Sequence, residues 1–130
     1  MGKQGYLIDT NVAIEYIGET LPDRSLSILD DIIDNEYSIS VINRIELLGY
    51  ADITDQEEEK FQQLIRAAIV FDLDNNVVKE TIKLRKSYRI KLPDAIIAAT
   101  ACLYDLVLIT RDIKDFQKIN ALKVISPEGL

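Results

Sequence analysis

Apolar and polar positions along the chain follow two rhythms. Short apolar runs rich in strand formers separate stretches in which apolar residues return every three or four positions. Tyr6-Leu7-Ile8 predicts a short strand closed at once by Asp9, and Asn11 to Gly18 a helix. Leu21-Pro22-Asp23 opens a second helix, with Leu26, Leu29, Ile32 and Ile33 at helical spacing. Tyr37 to Val41 alternates and predicts a strand; Arg44 to Tyr50 predicts a short helix carrying Glu46. Thr54 and Glu57 have capping-box spacing before a helix whose Phe61, Leu64, Ile65 and Ala68 share a face. Ile69-Val70-Phe71 is a third strand, Asn75 to Tyr88 a helix, and Asp94 to Tyr104 a nearly all-apolar helix, buried on several sides. The continuous run Leu106 to Ile109 suits a central parallel strand covered on both faces, and Val124-Ile125 is a short last strand.

Strands that alternate with helices imply parallel crossovers. The expected fold is a three-layer α/β/α sandwich with a mostly parallel sheet of about five strands, formed by residues 1–130 as one domain. In such sheets ligands bind beyond the carboxyl ends of the strands, where strand order reverses. Asp9 and Asp112 both fall just past predicted strand ends.

Composition narrows the chemistry. The 130 residues include no histidine and one cysteine, Cys102. A Ser-His-Asp or Cys-His triad is therefore excluded, as are a histidine-pair ribonuclease, the usual zinc ligand sets and a disulfide within the chain. Oxygen chemistry remains: 22 Asp and Glu stand against 15 Lys and Arg, a formal charge of −7. The start, Met1 to Tyr6, lacks the apolar core of a signal peptide, and Ala95 to Leu103 is too short to span a bilayer. A cytoplasmic protein without membrane association is expected.

Four acids occupy telling addresses: Asp9 after the first strand, Glu46 in the helix after the second, Asp94 after Pro93, and Asp112 in Thr110-Arg111-Asp112 after the fourth. If the first and fourth strands are neighbours, all four converge on one edge of the sheet. Two carboxylates about 5 Å apart repel by about 3 kcal/mol at an effective dielectric of 20. The six pairs among four acids sum to roughly 10–20 kcal/mol, more than the net stability of a typical domain. Such a cluster must protonate or bind a cation, and oxygen ligands point to Mg2+ or Mn2+. Taken singly, each acid also suits a structural role: Asp9 and Asp94 as helix N-caps, Glu46 on a solvated face, Asp112 in a turn.

The residues around these acids carry a resemblance. Ile8-Asp9-Thr10-Asn11-Val12, then Ser38 to Ile42 leading into Glu46-Leu47 and Gly49, then Pro93-Asp94-Ala95 with the apolar run to Ala101, then Leu108 to Asp112 with Asp115-Phe116, together resemble a PIN-domain ribonuclease. The nearest likeness is to the VapC type, the toxin half of type II toxin–antitoxin pairs. The Pro-Asp-Ala block followed by Thr-Arg-Asp and Asp-Phe is the specific part. The resemblance implies Mg2+- or Mn2+-dependent endonucleolytic cleavage of RNA by Asp9, Glu46, Asp94 and Asp112, with Asp115 as an extra or alternate ligand. It implies that Thr10, Asn11 and Thr110 brace the acids, that the protein is a homodimer, and that a small VapB-like antitoxin silences it. Three residues before Glu46, where relatives often carry Thr, stands Asn43.

Lys79, Lys83, Arg85, Lys86, Arg89 and Lys91 lead straight to Asp94, and Lys79, Lys83 and Lys86 share a helical face. Lys83, Lys86, Arg89, Lys91 and Arg111 are candidate RNA contacts. A solvated helix face, and for Arg111 a local salt bridge, are the alternatives. The tyrosines and Cys102 read as packing residues. Apolar residues from Leu21 to Ile33 exceed one helical stripe and suit either the core or a groove for an antitoxin helix or a dimer contact.

Two other classes fit part of the pattern. One is a catalytically silent binding module of the same fold, acting by sequestering a partner or RNA. The other is a phosphotransfer domain of the receiver or dehalogenase kind, but Asn11 stands where a dehalogenase needs its second Asp.

Overall fold

A computed structural model describes residues 4–130. Met1, Gly2 and Lys3, part of the start read above, lie outside the described residues. Five strands, β1 (Gly5–Ile8), β2 (Ser38–Ser40), β3 (Ile69–Phe71), β4 (Leu106–Ile109) and β5 (Lys123–Ile125), form one sheet. Their order is β3-β2-β1-β4-β5 and every neighbouring pair is parallel. The expected three-layer α/β/α architecture is present.

The helices are α1 (Thr10–Ile17), α2 (Asp23–Asn35), α3 (Val41–Leu48), α4 (Asp55–Ala67), α5 (Asn75–Ser87), α6 (Leu92–Leu103) and α7 (Ile113–Phe116), with a 3-10 turn at Pro127–Gly129. Alternate side chains of each central strand enter opposite layers, as a period of two requires. Leu7 and Leu108 pack with Val77, Leu84, Ile97 and Phe116 of α5, α6 and α7. Ile8, Ile39 and Ile109 pack with Val12, Leu29, Leu47 and Leu64 of α1 to α4. Most of the apolar surplus of α2 belongs to this second layer: Leu29 is fully buried, and Leu26, Ile32 and Ile33 pack against it.

Helix α6 is buried continuously from Ala95 to Ala101. Four alanines in this stretch let it lie close to both α5 and the sheet, and Thr100 spends its hydroxyl on the carbonyl of Ile96 at 2.8 Å. Among the described residues no helix is long and apolar enough to cross a membrane.

Two boundaries differ from the sequence reading, and two short elements were not read. Helix α3 starts at Val41, not Arg44. The β-branched pair Val41-Ile42 resembles strand, but Ser40 caps the helix and hands the chain over directly. The cap of α6 is Lys91, so Asp94 is not an N-cap; it sits in the first turn, after Leu92 and Pro93. Proline fits inside a first turn, where its missing N–H is not needed. The short helix α7 and the terminal 3-10 turn carry too few residues to show a period.

Candidate active site

The site begins with strand order. β1 runs on toward β2 and β3, while β4 and β5 lie on its other side, so order reverses between β1 and β4. The pairing Ile8↔Ile109 ends both strands together, and the Asp9 N–H donates to the Ile109 carbonyl at 3.0 Å. Asp9 therefore stands at the mouth of the crevice, with Thr110 and Asp112 beside it from β4.

Asp9 is both the N-cap of α1 and the centre of a polar network. It is 8% exposed. Its Oδ1 accepts from the Thr10 N–H at 2.9 Å and from Asn43 Nδ2 at 3.3 Å, and its Oδ2 from the Thr110 hydroxyl at 2.7 Å. Thr110 Oγ1 accepts in turn from the Asp112 N–H at 3.0 Å. On the other flank, Asn43 Nδ2 also donates to Thr10 Oγ1 at 3.0 Å, and the Thr10 hydroxyl donates to Glu46 Oε1 at 2.6 Å. One unbroken chain of hydrogen bonds thus runs from Glu46 through Thr10, Asn43, Asp9 and Thr110 to the Asp112 backbone.

Asp94 reaches the same place from α6. Burial pushes its carboxyl above the ordinary value, and the charges of Asp9, Asp112, Asp115 and Glu46 push it further. Asp9 is also raised, chiefly by burial; bonds from Thr110 and Thr10 oppose the rise, and the charges of Glu46 and Asp112 add to it. The carboxyl of Asp94 thus lies within electrostatic reach of Asp9, Glu46, Asp112 and Asp115. Asp9 and Glu46 are tied to neighbours through their side-chain oxygens. Among the described residues Asp94, Asp112 and Asp115 have no such side-chain tie.

The donor set suits a hard divalent cation: all oxygen, mostly anionic, and electrostatically strained without a counter-charge. Among the described residues no three acids already enclose a single ion position. Binding would draw in the untied carboxylates toward the fixed ones.

The strain has a measurable consequence. In chelator at pH 7, Asp94→Asn is expected to raise the melting temperature. A carboxyl whose folded value is raised lends stability below its unfolded value, near 3.8, and loses it as pH rises through the folded value. Above its folded value the wild type has lost that contribution, whereas asparagine cannot ionise. The gain should shrink to nothing as pH falls toward 4; a gain independent of pH would locate its origin elsewhere.

The other residues singled out sort as follows. Thr10 and Thr110 hydrogen-bond to the carboxylates of Glu46 and Asp9. Asn11 is exposed in the first turn of α1 and, among the described residues, gives no side-chain hydrogen bond to the network. Arg111 takes the salt-bridge reading: its Nε donates to Glu15 Oε1 at 2.7 Å, its Nη2 to Glu15 Oε2, and its Nη1 to Glu128. These two carboxylates push its guanidinium still higher, and its bond holds Glu128 below the usual carboxylate range. Lys83, Lys86, Arg89 and Lys91 are all exposed. The Arg89 carbonyl accepts from Lys118, and the Ile90 carbonyl from Arg85 at 3.3 Å, which steadies the connector that leads to Asp94.

Asn43, noted only as standing where relatives often carry Thr, was not counted among the candidate site residues. Its signals are its place three residues after the Ser40 cap and three before Glu46. A cleft of about 580 Å³, lined by Gln4, Tyr6, Ile32 and Glu36 among others, opens at the other end of β1, away from the site acids.

The family model of the PIN domain matches residues 6–122. Among solved structures, a chain of a toxin-antitoxin complex from Klebsiella pneumoniae is 30% identical, with 96% of this chain and 99% of that one covered and a TM-score of 0.77. FitAcB from Neisseria gonorrhoeae is 26% identical, over 96% and 99% of the two chains, with a TM-score of 0.74. VapBC-1 from nontypeable Haemophilus influenzae shares the fold at 24% identity, over 96% and 99%, with a TM-score of 0.79. The comparison with curated proteins returned no match.

Proposed function

The chain belongs to the PIN-domain family, and from that premise we propose that it is a Mg2+- or Mn2+-dependent endoribonuclease, the toxin of a toxin–antitoxin pair. The observation that carries the reading is the hydrogen-bonded network that links Asp9 and Glu46 at the point where strand order reverses, with Asp94, Asp112 and Asp115 within electrostatic reach. A repulsive cluster kept together at the expense of stability needs a counter-charge, and that counter-charge can serve phosphodiester hydrolysis.

Asp9 and Asp94 are the main ligands in this reading, with Glu46, Asp112 and Asp115 completing the set directly or through water. The cation, when bound, supplies a Lewis acid and a water of lowered pKa for in-line attack on phosphate. The chain does the rest. Thr10 and Thr110 hold ligand carboxylates in one rotamer. Asp94, Asp112 and Asp115, whose side chains have no hydrogen-bond tie among the described residues, would be available to orient a water. The exposed bases Lys83, Lys86, Arg89 and Lys91 offer phosphate contacts on the approach to Asp94. Arg111, already engaged by Glu15 and Glu128, is a weaker candidate for that role. The expected products are a 5′-phosphate and a 3′-hydroxyl.

The toxin assignment and an antitoxin partner are supported by the similarity to a chain solved within a toxin-antitoxin complex; a VapB-like partner, a homodimer and a cytoplasmic site of action belong to the same reading through the family resemblance alone. The test is direct. Purified protein incubated with a mixed RNA substrate should cleave it with Mg2+ or Mn2+, stop in excess EDTA, and resume when the cation is restored. Cleavage undiminished in EDTA would end the metal reading. Growth arrest that persists in a protein unable to cleave would favour the silent binding module instead.

A further inference from the structure

Asn43 is fully buried on α3 and makes three side-chain hydrogen bonds, two of them inside the acid cluster. Its Oδ1 accepts from the Ser40 N–H at 2.8 Å, closing the capping box at the start of α3. That bond decides which way the amide faces. With Oδ1 turned to Ser40, Nδ2 must point at Asp9 and Thr10, where it finds acceptors at 3.3 and 3.0 Å. The flipped amide would set N–H against the Ser40 N–H and oxygen against a carboxylate, losing all three bonds. The N-terminus of α3 therefore fixes the side chain that touches Asp9 of β1 and, through Thr10, Glu46.

We infer that Asn43 is a positioning residue that sets the Asp9 and Glu46 carboxylates relative to each other before any cation arrives. The inference rests on the cation-dependent reading above for its functional meaning, but the bridge is a property of the chain alone. The site is then built in two parts. Asp9 and Glu46 are held by Asn43, Thr10 and Thr110, while Asp94, Asp112 and Asp115 stay free to close on the ion. Alanine at position 43 removes both donors. Threonine there has only one hydroxyl proton and cannot serve Asp9 and Thr10 together.

The experiment measures Mn2+ affinity by calorimetry on metal-free protein, with melting temperatures in EDTA alongside. Asn43→Ala is expected to raise the Mn2+ dissociation constant by about 10–100-fold, the usual loss when a ligand's orienting partner is removed. Thr10→Val cuts the same bridge on its other side and should weaken binding likewise, whereas Thr10→Ser keeps the hydroxyl and should restore it. Thr81→Val is the control: it deletes a buried hydrogen bond to the Val77 carbonyl, outside the acid network, and should lower the melting temperature without changing Mn2+ affinity. Unchanged affinity in both Asn43→Ala and Thr10→Val would overturn the inference, as would equal weakening in Thr81→Val. If the wild type binds no Mn2+, the functional reading fails, and the bridge is judged on cation-free protein. There the melting-temperature losses of Asn43→Ala and Thr10→Val should be less than additive in the double variant. Additive losses would overturn the bridge whatever the metal does.

Discussion

Asp9→Asn is expected to abolish RNA cleavage while leaving the protein folded. Asparagine keeps the shape of the side chain and removes its charge. Its oxygen can still accept from the Thr10 N–H and from Asn43, as Asp9 Oδ1 does. Its amide nitrogen replaces Oδ2 and donates to Thr110 Oγ1, whose hydroxyl proton then turns away. One hydrogen bond changes direction, and the cost of a buried charge beside Glu46 and Asp112 disappears. These effects oppose each other, so the melting temperature in EDTA should move by only a few degrees. The catalytic loss should exceed about 100-fold, the upper range for removing a residue that merely orients a ligand. A single-turnover cleavage assay at saturating Mg2+ reads it. Full activity in the variant would remove Asp9 from the chemistry, and with it the proposed centre.

Phe116→Ala should have the largest effect on stability. Phe116 ends α7, a helix of four residues too short to persist without tertiary contacts. Its ring is fully buried in the layer formed with α5 and α6, together with Ile119 and Leu122. Removing a buried phenyl group costs about 3–5 kcal/mol. Set against a net stability of roughly 5–15 kcal/mol, that predicts a fall in melting temperature on the order of 10 °C or more. Phe116→Leu, which refills much of the space, should lose less than half as much. Because α7 carries Asp115 and is capped by Asp112, the alanine variant should also bind Mn2+ more weakly than the leucine variant. A melting temperature within two or three degrees of wild type would mean that the ring does not hold α7 down.

Legibility in the sequence divides along a physical line. Features set by neighbours in the chain were readable: the strand Leu106 to Ile109, the capping box at Thr54 and Glu57, and the placement of Asp9 just past a strand end. Strand order was not readable: the convergence of Asp9 and Asp112 was expected only if the first and fourth strands are neighbours, a condition that the pairing of β1 with β4 meets. What was not readable depends on partners far away in sequence. Arg111 finds Glu15 and Glu128 from separate segments, and no local pattern distinguishes that pairing from a phosphate contact. Asn43 looks like an ordinary third residue of a helix; only the arrival of β1 beside α3 turns it into the link between two carboxylates. The start of α3 was misplaced because Val41 and Ile42 favour strand by propensity, and the buried Ser40 cap overrides them.

The pairing of β1 with β4 joins segments that lie about a hundred residues apart. On a ribosome, Asp9 emerges about a hundred residues before Thr110 and Asp112. A nascent chain that has not yet released β4 holds an unfinished constellation of acids. On the proposed function, a nascent chain therefore holds no assembled site until β4 has emerged to pair with β1.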